Sequence, residues 1–153
     1  MPNAAATVAA QPAPDCRHCP RPPILEPSGA TRFVLYRKDR IGFVKGAALL
    51  KEFHLTPASK TRRVVATCCN TPVFLEFHNG HWLSLYSCLW PEGTLPALEM
   101  RTMTIDLPAG TALPDDVPNA RRQTFSFFVK LLSAWIAMGF RSPKVAVNGE
   151  LHV

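Results

Sequence analysis

Three observations predict a mainly β fold with one C-terminal helix. Short runs rich in β-branched and aromatic residues, bounded by Gly and Pro, recur between residues 31 and 89. The stretch "PVFLEFHNGHWLSLYSCL" alternates on both sides of Asn79 and Gly80, which favours a hairpin with a type I′ turn. The period then changes in "TFSFFVKLLSAWIAMGF", which predicts a helix over residues 124–140.

The chain of 153 residues has the length of one domain with its own core. We expect residues 1–14, which are rich in Ala and Pro, to form a flexible arm. Residues 15–110 then form the β domain, and residues 111–123 a connection whose prolines exclude regular structure. The apolar helix of residues 124–140 follows, and residues 141–153 form a tail.

Seven stretches carry strand signals in chain order. They are "TRFVLYRK", "RIGFVKG", "ALLKEFHL", "TRRVVATC", the two arms of the hairpin, and "ALEMRTMTIDL" at residues 97–107. On the outgoing arm of the hairpin, alternation places Leu83 and Leu85 on one face and Cys88 on the other. His78 and His81 flank the hairpin turn, where we expect both to point into solvent.

The helix is expected to begin after Thr124 as its N-cap and to end near Gly139. Its apolar residues run nearly all round, interrupted chiefly by Ser126, Lys130 and Ser133. It is shorter than the roughly 20 residues that a bilayer span requires, so no transmembrane segment is expected. Three interpretations of this helix stay open: it is buried, it pairs copies of the chain into a homo-oligomer, or it attaches the chain to a membrane surface.

Charge is concentrated in the first part of the chain. Residues 1–63 hold eleven Lys and Arg against four acids, whereas residues 64–153 hold six against seven. No helix-turn-helix or RNP-type motif accompanies the basic residues, so nucleic acid is not an expected partner. The N-terminus lacks the basic and apolar regions of a signal peptide, which predicts a cytoplasmic protein.

Two cysteine pairs carry the strongest chemical signal. Cys16 and Cys19 have the C-x-x-C spacing that brings two sulfurs to one Zn²⁺ at about 2.3 Å each. Cys68 and Cys69 are adjacent, so both can reach one ion only if the backbone turns there, as the "NTP" that follows suggests. Five cysteines, an odd number, disfavour a disulfide framework and leave metal binding or burial in the core.

The order of these motifs resembles the glutathione-dependent formaldehyde-activating enzyme family, which includes centromere protein V. The resemblance covers roughly residues 15–90: the C-x-x-C pair, then Ser28 and Gly29, then the strands, then "RRVVATCCNTPVFLEF". The CC-N-T-P variant with an apolar helix is similar to a divergent bacterial branch. The resemblance implies zinc-stapled, stacked β-sheets of the formaldehyde-activating-enzyme (Mss4-like) type.

The resemblance also implies carbon-sulfur lyase chemistry on S-hydroxymethylglutathione, the adduct of glutathione and formaldehyde. Cys16 and Cys19 match the last two cysteines of the family's C-x-C-x-x-C loop and would hold the catalytic zinc. Cys69 matches the second cysteine of C-x-x-C-G-T. In a competent member, such a zinc polarises the oxygen or sulfur of the adduct.

This sequence departs from the family at three ligand-motif positions, which hold Pro14, Ala66 and Asn70. Two arrangements therefore stay open. In the first, Cys16, Cys19, Cys68 and Cys69 form one closed, structural zinc site. In the second, the metal site is lost, packing alone holds the fold, and the chain is a noncatalytic binding module.

Overall fold

The computed structural model describes the backbone of a short N-terminal strand and residues 24–26, 28–91 and 93–151. The elements are β1 (Ala6–Val8), β2 (Phe33–Arg37), β3 (Ile41–Phe43), β4 (Leu50–Phe53), β5 (Thr61–Ala66), β6 (Thr71–Phe77), β7 (Trp82–Tyr86) and α1 (Phe125–Ala137). The fold class predicted from the sequence, mainly β with a C-terminal helix, is confirmed. Part of the expected N-terminal arm lies in β1.

Five strands form one antiparallel sheet in the order β2-β7-β6-β5-β4. The register slips by one residue between Val64 and Val65, so Val73 is an extra residue on β6. A separate two-stranded pair joins β1 to β3 in parallel. The turn between β5 and β6 and the hairpin turn between β6 and β7 both connect strands of this sheet.

The hydrophobic core lies against this sheet, because alternate residues of neighbouring strands share a face. Its buried members are Val34, Tyr36, Leu50, Val64, Ala66, Val73, Phe74, Leu83 and Leu85. Phe43 covers Phe74, with ring centroids 5.9 Å apart, and Trp90 stacks on Tyr36 at 6.2 Å. Leu83 and Leu85, which alternation places on one face of the hairpin, are both fully buried.

The segment after α1 closes the edge of the sheet. Val145 and Val147 pack against the core. The backbone nitrogen of Glu52 donates to the carbonyl of Gly149 (3.1 Å), and the nitrogen of Leu151 donates to the carbonyl of Glu52 (2.7 Å). This short parallel bridge covers β4, whose outer edge would otherwise offer unpaired backbone groups to other chains.

Helix α1 begins as the sequence predicts. The hydroxyl of Thr124 accepts the backbone N–H of Phe127 at 3.2 Å, which caps the first turn. The helix ends at Ala137, three residues before the predicted end, and Gly139 follows with φ +61. Among the described residues, no helix combines the length and apolarity needed to cross a membrane.

Two local predictions are wrong. Residues 97–107 form no strand: their one ladder contact is the isolated bridge between Arg101 and Asn119. The segment that faces them, residues 108–120, contains three prolines, which lack the N–H groups that a longer ladder needs. The hairpin turn is not type I′ either, since Asn79 has φ +60 but Gly80 is not in the left-handed region.

Candidate functional site

Cys68 and Cys69 lie in a tight turn that joins β5 to β6. The backbone nitrogen of Cys69 donates to the carbonyl of Ala66 at 3.3 Å, and Asn70 adopts a left-handed φ of +53. The chain therefore reverses at the cysteines instead of continuing as a strand. As a result the two Sγ atoms lie on the same side, 3.6 Å apart.

The surroundings of the two sulfurs combine apolar packing with one polar contact. Both side chains are half-buried and pack against the core. The Sγ of Cys69 lies 3.0 Å from the hydroxyl of Thr71. The sulfurs are too far apart to be bonded to each other, because a disulfide requires about 2.05 Å.

The separation of these sulfurs fits one tetrahedral metal ion. Two thiolates at about 2.3 Å from Zn²⁺ lie about 3.8 Å apart when the angle between them is tetrahedral. The measured distance of 3.6 Å is close to this value. Cys68 and Cys69 therefore have the chemistry and the spacing for two of the four ligands of a zinc site.

The other two predicted ligands, Cys16 and Cys19, lie outside the described residues, so the composition of the full site stays a prediction. Within residues 24–26, 28–91 and 93–151, no group of three His, Cys, Asp or Glu side chains is placed to hold a metal ion. Any zinc site built on Cys68 and Cys69 would need ligands from outside these ranges.

Cys88 differs from the turn cysteines. It lies in a 3-10 turn after β7, in no disulfide, with its Sγ 3.8 Å from the carbonyl of Pro72. Burial raises the pKa of its thiol above the ordinary value. A thiol with a raised pKa is a weak nucleophile and a weak metal ligand at neutral pH, which makes Cys88 a natural control.

The histidines at the hairpin divide between solvent and interior. His78 is exposed, as predicted, but His81 is only 7% exposed, and the prediction for it is wrong. Its Nε2 donates to the carbonyl of Leu131 at 2.8 Å, and its ring stacks on Trp135 at 5.6 Å. Burial lowers the pKa of His81, and the nearby charges of Lys38 and Arg37 lower it further.

A groove of about 460 Å³ runs between the hairpin turn and α1. His81 and Trp82 line it from the hairpin. Phe128, Leu132 and Trp135 line it from the helix. The helix presents two apolar faces. One, containing Leu131, Ala134 and Met138, is buried, while the other stays in solvent.

We call this second face the apolar face of α1. Its large side chains and their exposed fractions are Phe125 (85%), Phe128 (55%), Val129 (46%), Leu132 (50%), Ile136 (53%) and Phe140 (59%). The spacing of three and four residues places the first five along one side of the helix, and Phe140 follows three residues after the end of the helix. The sequence showed an apolar helix, but it did not show which of its residues stay exposed.

Four charged side chains from separate parts of the chain form a network of ion pairs, which no pattern in the sequence indicated. Lys38 forms an ion pair with Glu76, and Arg62 forms ion pairs with both Glu76 and Glu52. Lys38 and Glu76 are 5% and 7% exposed. Arg62 also donates to the carbonyl of Val145 at 2.7 Å, which ties this network to the C-terminal segment.

Comparisons with known proteins identify no relative. No protein-family model matches the chain, and neither a curated protein nor a solved structure matches it. The resemblance to the formaldehyde-activating family therefore stays a prediction from motif order.

Proposed function

We propose that this chain is a zinc-binding protein of the formaldehyde-activating type, in which Cys68 and Cys69 supply two thiolates of one metal site. The observation that carries the proposal is the 3.6 Å separation of the two Sγ atoms, which fits two ligands of one tetrahedral ion. Cys16 and Cys19, with the spacing of a zinc knuckle, would complete the site.

The ligand set decides what the zinc does. Four thiolates leave no open coordination position, so the ion would be structural and would staple the N-terminal segment to the turn between β5 and β6. A zinc that kept one open position would act as a Lewis acid on an S-hydroxymethyl thiol adduct. Since the chain offers two cysteine pairs, we favour the closed, structural site and a loss of the lyase activity.

The test is zinc per chain, measured by native mass spectrometry on protein purified without added metal. One zinc is expected in the wild type and in Cys88→Ser, the control that removes a thiol outside the site. Cys16→Ser and Cys69→Ser should each lose it. Retention of zinc in both of these variants, or its absence from the wild type, would overturn the proposal.

Activity is a separate measurement on the same preparations. Glutathione-dependent consumption of formaldehyde should be indistinguishable from buffer for a closed site. Consumption that disappears in Cys16→Ser would instead assign an open, catalytic zinc to the N-terminal cysteine pair.

A second candidate function is a noncatalytic binding module that uses the apolar face of α1 as its contact surface. Five large apolar side chains exposed on one side of a helix, with Phe140 just after its end, favour it, because water-soluble monomers rarely expose an apolar patch of this extent. A homo-oligomer formed through residues 124–140 is one form of this function. Sedimentation velocity tests that form: Leu132→Asn should shift an oligomer to monomer.

A further inference from the structure

The apolar face of α1 is large enough to require a partner. With about 200 Å² for each phenylalanine side chain, the exposed fractions of Phe125, Phe128 and Phe140 amount to roughly 400 Å². Val129, Leu132 and Ile136 extend the patch along the same side of the helix. The total exceeds the few hundred Å² that monomers commonly leave in water.

The charges that the helix and its flanking segments carry are all of one sign. Between Asp116 and Glu150 the chain contains no acidic residue. The same segment contains five basic residues, Arg121, Arg122, Lys130, Arg141 and Lys144, and all of them are exposed. Two lie just before α1 and two just after it, so both ends of the apolar face are flanked by positive charge.

Only one of these five is compensated by an acid from elsewhere in the described chain: Lys130 pairs with Glu99. Both side chains of this pair are exposed to solvent, so the pair contributes little to stability. The surface that surrounds the apolar face thus has a strong preference for an anionic partner.

A second copy of the chain fits this charge pattern poorly. Symmetric pairing through α1 would bring the basic residues of one copy against those of the other, which is unfavourable. An anionic bilayer matches both the apolar face and its flanking charges. The phenylalanines can be buried among acyl chains, and lipid phosphates and carboxylates attract the flanking cations. The indole ring of Trp82, which lines the adjacent groove, suits the same boundary.

We propose that α1 is a membrane-surface helix that docks on anionic bilayers, with its apolar face below the headgroups and its flanking Arg and Lys among them. The inference rests on the second candidate function, that this face is a contact surface, and does not depend on zinc. Docking leaves Leu131, Ala134 and Met138 buried, and the carbonyl of Leu131 keeps its hydrogen bond from His81.

The test is sedimentation of the full chain with vesicles of phosphatidylcholine alone and of phosphatidylcholine mixed with phosphatidylserine. The wild type should bind the mixed vesicles and bind the neutral ones much more weakly. Added salt should weaken binding to the mixed vesicles, because it screens the flanking charges.

Two kinds of variant separate the apolar and the electrostatic contributions. Leu132→Asn, at the centre of the apolar face, should weaken binding at least about tenfold, since it removes a buried leucine from the lipid. Ser133→Asn changes the next residue, an exposed polar one at the border of this face, removes no apolar side chain, and should bind like the wild type. Urea midpoints of both variants check that each folds.

Arg121→Gln combined with Arg122→Gln should weaken binding to the mixed vesicles by about 30-fold, because each cation near an anionic surface contributes a factor of about five. Its control removes two cations near the far edge of the sheet, Lys45→Gln with Lys51→Gln. That control should retain most of the wild-type affinity for the mixed vesicles.

Three outcomes would overturn the inference. Binding that is equal for both vesicle compositions would remove the role of the flanking charges. A wild type that ignores vesicles but forms a dimer dispersed by Leu132→Asn would show that the face contacts a second copy. A wild type that is monomeric and ignores both vesicle types would reject the inference together with the contact surface.

Discussion

His81 stacks on Trp135 with 5.6 Å between ring centroids and 11° between ring planes. The same imidazole donates through Nε2 to the carbonyl of Leu131 at 2.8 Å. One residue of the hairpin turn thus holds α1 through both an aromatic contact and a hydrogen bond. Arg37 adds a third tie, from its guanidinium to the carbonyl of Ala137 at 3.3 Å.

We expect His81→Ala to lower the free energy of unfolding by about 2 to 3 kcal/mol, because it removes a buried hydrogen bond and an aromatic pair together. Urea denaturation followed by far-UV circular dichroism measures this. His78→Ala is the matched control, since His78 is exposed, and should change the stability by less than about 0.5 kcal/mol. Equal effects of the two substitutions would contradict the role given to His81.

The buried imidazole also makes stability depend on pH. Burial lowers the pKa of His81 below its ordinary value of 6.5, so the unfolded chain binds a proton at this site before the folded chain does. The contribution of His81 is fully present above pH 6.5 and is lost as the pH falls towards the lowered pKa. Asp39, whose pKa is lowered by the guanidinium of Arg37, titrates in a separate window below 3.8.

The measurement is the free energy of unfolding of the wild type and of His81→Gln between about pH 7.5 and 5, where an unshifted histidine titrates. The wild type should lose more stability than the variant over this range as the pH falls. Parallel pH profiles for the two proteins would refute the assignment.

The ion pair of Lys38 and Glu76 makes a different prediction, because both groups are buried. Glu76→Ala leaves the ammonium of Lys38 without its counter-ion in the interior and should cost about 3 to 5 kcal/mol. Lys38→Met combined with Glu76→Leu should recover much of this loss, since it removes both buried charges while Arg62 keeps Glu52 as its partner.

The pair of Lys130 and Glu99 provides the control for the buried pair. It joins the same two residue types, but at an exposed position. Glu99→Ala should cost at most about 1 kcal/mol in urea denaturation. If the double variant at Lys38 and Glu76 were as unstable as Glu76→Ala, the loss would come from packing and not from an unpaired charge.

Local patterns predicted most of the fold. Alternation identified the strands of the sheet, and the Thr124 cap and the 3.6-residue period identified α1. Asn79 and Gly80 correctly predicted the hairpin. The glycine is needed there for close approach of the backbone, however, and not for the positive φ of a type I′ turn. A Cβ on Gly80 would lie 3.0 Å from the carbonyl oxygen of Phe77, so this position needs a small residue for close approach.

What the sequence could not show depends on contacts between distant residues. His81 is buried because α1, fifty residues later, packs on it, and its position beside a polar turn gives no sign of this. Lys38 and Glu76 meet across strands for the same reason. The turn at Cys68 and Cys69, by contrast, was indicated by the local signal "NTP". The exposure of the apolar face of α1 depends on which side of the helix packs on the rest of the protein.

If the zinc site is structural, removing the metal should destabilise the protein strongly. Structural zinc contributes roughly 10 to 16 kcal/mol in small zinc-binding peptides, which matches or exceeds the typical stability of about 5 to 15 kcal/mol of a whole domain. We therefore expect a chelator to lower the melting temperature of the wild type and of Cys88→Ser by more than 10 °C, since a loss of about 5 kcal/mol already has this effect at this chain length.

The double variant Cys68→Ser with Cys69→Ser should have the same melting temperature with and without zinc. That temperature should equal the melting temperature of the wild type after chelation. Because thiolates are the ligands, protons compete with the metal, and the chelator effect should appear at lower chelator concentrations as the pH falls. Melting curves that are the same with and without the chelator would mean that the core around Phe74 and Leu85 holds the fold alone. The half-buried sulfurs of Cys68 and Cys69 would then be packing groups, and function would lie on the surface of the molecule.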